Sequence, residues 1–305
     1  MELSLDRIGR GRAVLIAGAT ASGKSAAAIR LAEEAARRGR SAWIVNADSM
    51  QVYDALRVLT ARPGVADERR VPHRLYGHAS VGTRYSVGTW LREIAPILEE
   101  AEAAEALVIA VGGTGLYFKA LTEGLASIPP IPADVRNKWT ERLRQHGAAS
   151  LHEELRRTDP AAAVTIQAGD PQRIVRALEV LEATGRPLGE WQKIRAALPL
   201  LPPGDTARFV VEVPRAVLHQ RIGERVDRMV DQGALEEVGT LVARRLDPDL
   251  PAMKAIGVRS FAAFLRQEIP LDEAIAEANQ ETRRYAKRQA TWFRHQMRDW
   301  ARIAG

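Results

Sequence analysis

The feature that most constrains this 305-residue chain is an octapeptide near its beginning, Gly18-Ala19-Thr20-Ala21-Ser22-Gly23-Lys24-Ser25. It fits the phosphate-loop pattern G-x-x-x-x-G-K-[ST], follows an apolar run and precedes a helix-forming stretch. The glycines allow the backbone to wrap a phosphate, with N–H groups and the dipole of the next helix pointing at it. Lys24 adds a mobile positive charge, and the Ser25 hydroxyl can ligate Mg²⁺. These eight residues are therefore predicted to bind a phosphate group.

The pattern around this loop predicts an α/β fold with a parallel sheet. Short apolar runs typical of buried strands lie at Ala13–Ala17, Ala42–Ala47, Ala106–Val111 and, much later, Arg208–Val213. Helices are predicted between them, at Ala26–Arg38, which Gly39 would cap, and at Val87–Ala104. Strand and helix alternate as in a doubly wound sheet with helices on both faces.

A helical insertion interrupts this alternation between residues 124 and 204. Its strongest helical patterns are Ala133–His146 and Asp170–Thr184, and no strand pattern is evident. Prolines 129, 130 and 132 mark the entry to the segment, and Pro202-Pro203-Gly204 marks its exit. We therefore expect a core made of residues 1–123 and 205–305, with residues 124–204 as a separate helical domain.

Asp48 is the candidate general base. It follows the second predicted strand, in Ile44-Val45-Asn46-Ala47-Asp48, and is expected at the carboxyl edge of the sheet beside the phosphate loop. A carboxylate near Lys24 and Ser25 suits proton abstraction from the acceptor of a group transfer. A local role as a helix N-cap is the alternative, because a turn follows.

The third predicted strand ends in Val111-Gly112-Gly113-Thr114-Gly115, without the acid that a nucleotide hydrolase uses to hold Mg²⁺. Glycines at this position allow close approach of a ligand, and Thr114 offers a hydroxyl. A tight turn between strand and helix is an equally good interpretation.

The basic charge is confined to one end of the chain. Residues 282–305 contain seven Lys and Arg and one acid, Asp299, so they carry the whole formal charge of +6. Such a block suggests a polyanionic partner, although a solvated helix face is the simpler interpretation. Arg284, Lys287, Arg288, Arg294, Arg298 and Arg302 fall near one helical stripe, with Tyr285, Trp292 and Trp300 interleaved.

Other classes of chemistry are excluded by composition. The chain has no Cys, which excludes disulfides, Cys-ligated zinc, iron–sulfur clusters and a thiol nucleophile. No apolar run is long enough to span a bilayer, and residues 1–12 have no apolar signal region. We therefore expect no membrane association and a cytoplasmic location.

Together these motifs resemble the bacterial tRNA dimethylallyltransferase family, also called tRNA isopentenyltransferases. The resemblance covers nearly the whole chain and is carried by Gly18–Ser25, Asn46–Tyr53, Thr60–Pro63, Pro72–Leu75, Val111–Gly124, Asp170–Val180, Lys254–Gly257 and Thr282–Arg294. The conjunction of Asp48-Ser49-Met50-Gln51-Val52-Tyr53 with Gly112–Tyr117 and Lys287-Arg288-Gln289 is more specific than the phosphate loop alone. It implies a P-loop NTPase-like core and a protein that acts as a monomer.

The resemblance implies transfer of a dimethylallyl group from dimethylallyl diphosphate to N6 of an adenosine in tRNA. That adenosine lies 3′ to the anticodon in tRNAs that read codons beginning with U. The phosphate loop would then hold the diphosphate leaving group, with Mg²⁺ on Ser25, rather than ATP. Asp48 would take the N6 proton, Thr114 would lie near the transfer site, and Arg221 would grip the diphosphate. An ordinary solvated arginine is the alternative for Arg221.

The resemblance also implies a set of tRNA-contacting residues, some of which have the expected spacing. Arg173 and Arg176, for example, share a face of their predicted helix. The full set is Asp48, Ser49, Met50, Gln51, Thr114, Arg136, Gln172, Arg173, Ile174, Val175, Arg176, Lys254, Arg259, Arg283, Arg284, Lys287 and Arg288.

The chain departs from the family pattern at two positions. Ala19 replaces a proline in the phosphate loop, which affects only the stiffness of the loop. Val258 replaces a tyrosine, which removes any stacking or hydroxyl contact at that position.

Three other functions remain as alternatives: an adenylate isopentenyltransferase that modifies free nucleotide, a small-molecule kinase, and a nucleic-acid-binding protein with a nucleotide switch. The basic residues 282–305 and the helical insertion disfavour the adenylate isopentenyltransferase, because a small acceptor needs neither. The missing acid after the third strand disfavours the kinase and the nucleotide switch.

Overall fold

A parallel sheet of six strands forms the centre of the protein. The computed structural model describes residues 3–8, 11–194 and 198–305. The strands are β1 (Ala13–Gly18), β2 (Ala42–Asn46), β3 (His73–Arg74), β4 (Leu107–Gly112), β5 (Thr206–Glu212) and β6 (Ala301–Ala304). They lie in the order β3-β2-β4-β1-β5-β6. This confirms the predicted α/β class and parallel sheet, and the four predicted strands agree with the observed ones within two residues at each end.

The central strands are buried because both faces of the sheet are covered. Every residue of β1, β2 and β4 is buried. Alternate side chains enter two apolar clusters: Leu15 packs with Trp90 and Phe118 on one face, and Ile16 packs with Leu31 and Ile44 on the other. Burial on both faces explains why these strands are continuous apolar runs rather than alternating patterns.

Twelve α-helices accompany the sheet in the described residues. They are α1 (Lys24–Arg37), α2 (Val65–Arg70), α3 (Val87–Ala103), α4 (Gly115–Glu123), α5 (Ala133–Thr158), α6 (Pro160–Thr165), α7 (Pro171–Thr184), α8 (Leu188–Lys193), α9 (Arg215–Asp231), α10 (Ala234–Ala243), α11 (Val258–Leu265) and α12 (Leu271–Gln296). Gly39 follows the end of α1 at φ 78°, a left-handed conformation that suits its predicted capping role.

The chain divides into two compact units, Met1–Thr122 with Leu200–Gly305, and Glu123–Pro199. In its described residues the second unit contains α5 to α8 and no strand. Its core is formed by Trp139, Leu155 and Ile174, among others, and α5 is kinked at Gly147 (φ 74°). The predicted insertion, residues 124–204, includes residues 195–197, which lie outside the described part of the chain.

The predicted end of the insertion, residue 204, is wrong by several residues. Leu201 is buried in an apolar cluster of the first unit together with Leu121. Its N–H also donates to the Leu121 carbonyl at 3.1 Å. Leu201 therefore packs in the first unit, and the exposed Pro202 and Pro203 belong to that unit as well.

The basic tail does not form the single helical stripe that the sequence suggested. Helix α12 ends at Gln296, so Arg298 lies beyond it and Arg302 lies on β6, which pairs with β5. The Arg302 guanidinium donates to the carbonyls of Phe293 (3.4 Å) and Met297 (2.9 Å), which caps the end of α12. Only the part of the tail within α12 can present a continuous basic face.

Within the described residues, no helix is both long enough and apolar enough to cross a lipid bilayer.

Candidate active site

Three strand ends meet at one edge of the sheet and form the candidate site. Strand β4 lies between β2 and β1, so the segment after β4 separates the phosphate loop from the segment that carries Asp48. Backbone hydrogen bonds continue past the strands: Ala47 N–H donates to Val111 O at 2.8 Å, and Thr114 N–H donates to Ala47 O at 3.2 Å. The parallel topology therefore places Asp48, Thr114 and the phosphate loop at one carboxyl edge.

The phosphate loop has the shape that its sequence predicts. Gly23 (φ 86°) directly precedes α1, whose first two residues are Lys24 and Ser25. Lys24 Nζ lies 3.3 Å from Ala19 O, and burial lowers the pKa of Lys24 to about 8, while the charge of Asp48 acts in the opposite direction. The Ser22 hydroxyl is buried and has no hydrogen-bond partner among the described residues, as expected of a donor that awaits a ligand.

The Asp48 carboxylate has one oxygen in a local turn and one facing the site. Its Oδ1 accepts the N–H of Met50 at 2.9 Å in a turn; no helix of the described residues begins here, so Asp48 is not a helix N-cap. The Asn46 side chain fixes the same turn by accepting from Asp48 N–H at 2.8 Å and donating to Asp48 O at 2.9 Å. Oδ2 faces Gly113, where an added Cβ would lie 3.2 Å from it. The turn thus orients a carboxylate oxygen towards the segment after β4.

Thr114 links the two segments that flank the site. Its Oγ1 accepts the N–H of Ser49 at 2.9 Å and lies 3.3 Å from Ser49 Oγ. The Thr114 hydroxyl thereby holds the residue next to Asp48. Gly112 lets the two segments approach each other closely, because a Cβ at this position would lie only 2.0 Å from Ala47 O.

Three tyrosines lie close to Asp48. Burial raises the pKa of Tyr76, Tyr117 and Tyr285, and the negative charge of Asp48 is the second cause in each. The three phenols therefore stay neutral at physiological pH and provide flat, largely apolar surfaces beside a carboxylate. Sequence reasoning noted Tyr285 within the basic tail but did not place Tyr76 or Tyr117 near Asp48.

Helix α9 brings two arginines to the phosphate loop. The guanidinium of Arg221, which was predicted, lies 3.9 Å from the position of a Cβ added to Gly23. Arg225, which was not predicted, donates to Thr20 Oγ1 at 3.3 Å. Burial lowers the pKa of Arg225, and the nearby Arg228 lowers it further. The four-residue spacing of Arg221 and Arg225 places both on one helix face and could have indicated the second arginine.

Gln289 is a second residue that sequence reasoning did not place at the phosphate loop, although the resemblance implied that the segment Thr282–Gln289 contacts tRNA. It is buried on α12, where its side-chain amide accepts Thr20 N–H and donates to Gly113 O, both at 2.9 Å. The motif Lys287-Arg288-Gln289 contains it, but only the folded chain shows which of the three residues reaches the phosphate loop.

The other side of α12 is basic and exposed. Arg283, Arg284, Lys287 and Arg288 are all exposed there, and the Arg288 guanidinium lies 5.6 Å from the centroid of the Tyr285 ring. Of the other aromatic residues in this basic segment, Phe293 and Trp300 are buried in the core, while Trp292 is partly buried against it. Helix α12 therefore has one exposed basic face and one apolar face that packs against the core.

The remaining predicted contact residues of the first unit occupy surface segments. The Gln51 amide donates to the carbonyls of Thr60 (2.9 Å) and Ala61 (3.0 Å), which fixes its loop. Lys254 is exposed and pairs with Asp249 at 3.1 Å, and Arg259 is exposed. Val258 is buried in the core, so its side chain faces inward.

Two predicted arginines of the second unit, Arg136 and Arg176, lie beside the same buried carboxylate. Glu179 lies 4.0 Å from Arg136 Nε and 3.8 Å from Arg176 NH1. Gln172 and Arg173 are exposed on α7 and Val175 is half-buried. Ile174 is fully buried in the core of this unit, so its side chain packs there and does not face solvent.

A magnesium ion fits the oxygens of the site only together with a ligand. Within the described ranges, no three Asp, Glu or His side chains cluster so that they could hold a metal ion. The exposed Ser25 hydroxyl is a hard oxygen donor of the kind Mg²⁺ prefers, and this ion usually takes its other ligands from substrate phosphates and water. The residues therefore suit an ion that arrives with a diphosphate.

Comparison with known proteins identifies the family. The family model described as IPP transferase matches residues 51–296, and one described as isopentenyl transferase matches residues 11–78. The chain belongs to the IPP transferase family and is a prenyltransferase. This confirms the resemblance inferred from the sequence motifs.

The sequences of related proteins match this chain over nearly its whole length. The tRNA dimethylallyltransferase of Mesorhizobium japonicum is 53% identical over 97% of this chain and 91% of its own. That of Agrobacterium fabrum is 51% identical over 95% and 96%.

Two solved structures share the fold. A tRNA isopentenylpyrophosphate transferase from Bacillus halodurans matches with a TM-score of 0.65 and 30% identity, over 96% of this chain and 90% of its own. A eukaryotic dimethylallyltransferase, crystallised acting on tRNA, matches with a TM-score of 0.77 and 25% identity, over 96% and 73%. The predicted P-loop NTPase-like fold is thus confirmed.

Proposed function

We propose that this protein transfers the dimethylallyl group of dimethylallyl diphosphate to N6 of the adenosine 3′ to the anticodon. Its substrates are tRNAs that read codons beginning with U, and its products are N6-dimethylallyladenosine and diphosphate. The observation that carries the proposal is the position of Asp48 at the same sheet edge as the phosphate loop, with only β4 between their two strands. A loop that binds an anionic leaving group and a carboxylate that accepts a proton are the two groups this substitution needs.

The phosphate loop and α9 bind the diphosphate. As the bond between the allylic carbon and the diphosphate oxygen breaks, its electron pair leaves with the diphosphate. Lys24, the loop N–H groups, the Ser22 hydroxyl, Arg221 and Arg225 stabilise the negative charge that develops there. Ser25 would hold Mg²⁺, which would neutralise part of the charge on the leaving diphosphate.

Asp48 serves the acceptor. Its Oδ2 orients the N6 amino group and takes one of its protons while the new bond from N6 to the allylic carbon forms. The half-buried rings of Tyr76 and Tyr285 give the extruded base a stacking surface in place of its neighbours in the anticodon loop, whereas Tyr117 is buried and stacks on Trp90. Thr114 keeps Asp48 in place through Ser49, so its contribution to catalysis is to position the base.

Two basic surfaces are proposed to bind the anticodon arm. One is the face of α12 formed by Arg283, Arg284, Lys287 and Arg288, which Lys254 and Arg259 supplement on their own segments. The other, on the second unit, consists of Arg136, Gln172, Arg173 and Arg176, with Glu179 holding Arg136 and Arg176. Met50, Gln51 and Val175 complete the proposed contacts. Exposed arginines beside an aromatic ring suit phosphate contact and base stacking.

The alternatives predict different acceptors. An enzyme for free adenylate or a small-molecule kinase has no use for an exposed basic helix face, and a kinase or a nucleotide switch would turn over ATP. Replacing tRNA with AMP, or dimethylallyl diphosphate with ATP, in one assay separates all of these from the proposed reaction. Action as a monomer in the cytoplasm belongs to the same proposal and is supported by the family resemblance.

The test is incubation of the protein with unmodified tRNA, labelled dimethylallyl diphosphate and Mg²⁺. We expect label on tRNA and none on AMP. A folded preparation that labels none of several tRNAs reading codons that begin with U would refute the proposed function. Asp48→Asn should abolish most of the labelling. Asp54→Asn is the matched control for that variant, because Asp54 is an exposed carboxylate in the same loop as Asp48.

A further inference from the structure

Gln289 is one of the few polar residues in the core of the first unit. It is 6% exposed and lies on the side of α12 turned away from the exposed Lys287 and Arg288. An unpartnered buried amide would be costly, so its partners show what the residue does. Both partners belong to the candidate site.

The Gln289 amide joins two segments that are far from it in the chain. Its Oε1 accepts the N–H of Thr20, 269 residues away, and its Nε2 donates to the carbonyl of Gly113, 176 residues away. Thr20 is in the phosphate loop, and Gly113 follows β4 beside Asp48. One side chain therefore spans the distance between the leaving-group site and the base.

The surroundings leave this amide little freedom. A Cβ on Gly113 would lie 2.2 Å from Gln289 Nε2, so only glycine allows the contact. Tyr285, one turn earlier on α12, lies beside Gln289. Arg225 holds the Thr20 hydroxyl while Gln289 holds the Thr20 N–H. Thr20 is thus fixed from two helices at once.

We infer that Gln289 is a positioning residue for prenyl transfer, which sets the spacing between the phosphate loop and the segment that carries Gly113. The inference rests on the proposed function for the reaction, but the contact itself does not. Since the Thr20 N–H is bonded to Gln289 and the Ser22 N–H to Ala19 O at 3.2 Å, the diphosphate would be cradled by the other N–H groups of the loop. Misplacement of reacting groups by about 1 Å can lower a rate by about 100-fold, so loss of this amide should affect the chemical step.

Two variants separate positioning from simple packing. Gln289→Ala removes both hydrogen bonds. Gln289→Glu has nearly the same shape and keeps an acceptor for Thr20 N–H, but it cannot donate to Gly113 O and brings a charge near the Asp48 carboxylate. Gln296→Ala, at the exposed end of the same helix, removes an amide that accepts from Lys119 at 3.1 Å and is the matched control.

The first measurement is amide hydrogen exchange at Thr20, which needs no substrate. We expect a protected Thr20 N–H in the wild-type protein and in Gln289→Glu, with exchange at least tenfold faster in Gln289→Ala. A Thr20 amide that exchanges freely in the wild-type protein would overturn the inference whatever the enzyme does.

The second measurement compares kcat, KM for dimethylallyl diphosphate and tRNA affinity, each per folded molecule. Gln289→Ala should lower kcat by about 100-fold and Gln289→Glu by at least about tenfold, with tRNA affinity within about twofold of wild type. Unchanged kcat in Gln289→Glu would make Gln289 a packing residue. An inactive wild-type protein with a protected Thr20 amide would instead refute the proposed reaction.

Discussion

The Arg225 guanidinium donates a hydrogen bond to the hydroxyl of Thr20 at 3.3 Å. This contact ties α9 to the phosphate loop at the residue whose N–H is bonded to Gln289. The loop is thus held by side chains from two helices that come much later in the chain.

Substitution of Arg225 by lysine should weaken binding of the diphosphate. Lysine keeps the charge but loses the planar fork that can contact Thr20 and a phosphate at once. We expect KM for dimethylallyl diphosphate to rise by about tenfold with tRNA affinity unchanged, as measured by steady-state kinetics. Arg228→Lys, an exposed residue on the same helix, is the control. Equal effects of the two substitutions would exclude Arg225 from the donor site.

Affinity for dimethylallyl diphosphate should fall above pH 8 because of Lys24. Its pKa in the free protein is about 8, lowered by burial, and a bound diphosphate favours the charged form. Binding above pH 8 therefore takes up a proton, and affinity is lost as the pH rises through the pKa of the free protein.

The Lys24→Arg variant separates this effect from ionisation of the ligand, since arginine stays charged at pH 9. Between pH 7 and pH 9 the wild-type protein should lose up to about tenfold more affinity than Lys24→Arg, by calorimetric titration. Parallel pH curves for the two proteins would mean that Lys24 stays fully protonated across this range.

Replacing Asp48 with asparagine should affect the chemistry far more than tRNA binding. Asparagine keeps an acceptor for Met50 N–H but cannot take the N6 proton. We expect kcat to fall by about 100-fold or more, with tRNA affinity within about threefold, since general-base catalysis contributes about 10²–10⁴. Equal losses in rate and in affinity would make Asp48 a docking residue.

The exposed face of α12 should determine the salt dependence of tRNA binding. Arg284→Ala combined with Lys287→Ala removes two cations, and the slope of log affinity against log salt should fall by about 1.5 to 2. Filter binding at several salt concentrations measures it. Replacing Arg30 and Arg37, two exposed arginines of α1, should leave the slope unchanged. If the α12 pair also leaves the slope unchanged, α12 is not part of the interface.

Much of the fold was predictable because its signals are local. The phosphate loop, the buried strands and the placement of Asp48 at a strand end all follow from short stretches of sequence. Strands β3 and β6 were missed, since two and four residues at the edges of a sheet are too short to show a pattern. The sequence placed Arg302 on the basic stripe of the tail. Its actual partner, the Met297 carbonyl at the end of α12, is visible only in the folded chain.

The contacts that complete the site could not be predicted in the same way. Arg225 and Gln289 meet Thr20 across 205 and 269 residues of sequence. The environment of Asp48 likewise combines tyrosines from three separate segments. A single sequence shows which side chains could act, whereas their meeting depends on how helices pack against the sheet.

Mapping of the modified nucleoside tests the central claim most directly. After reaction of unmodified tRNA with dimethylallyl diphosphate and Mg²⁺, nuclease fragments of the tRNA are analysed by mass spectrometry for the wild-type protein and for Asp48→Asn. The account predicts one dimethylallyl group on the adenosine 3′ to the anticodon with the wild-type protein, and almost none with Asp48→Asn. A dimethylallyl group at another nucleotide, or equal modification by both proteins, would contradict it.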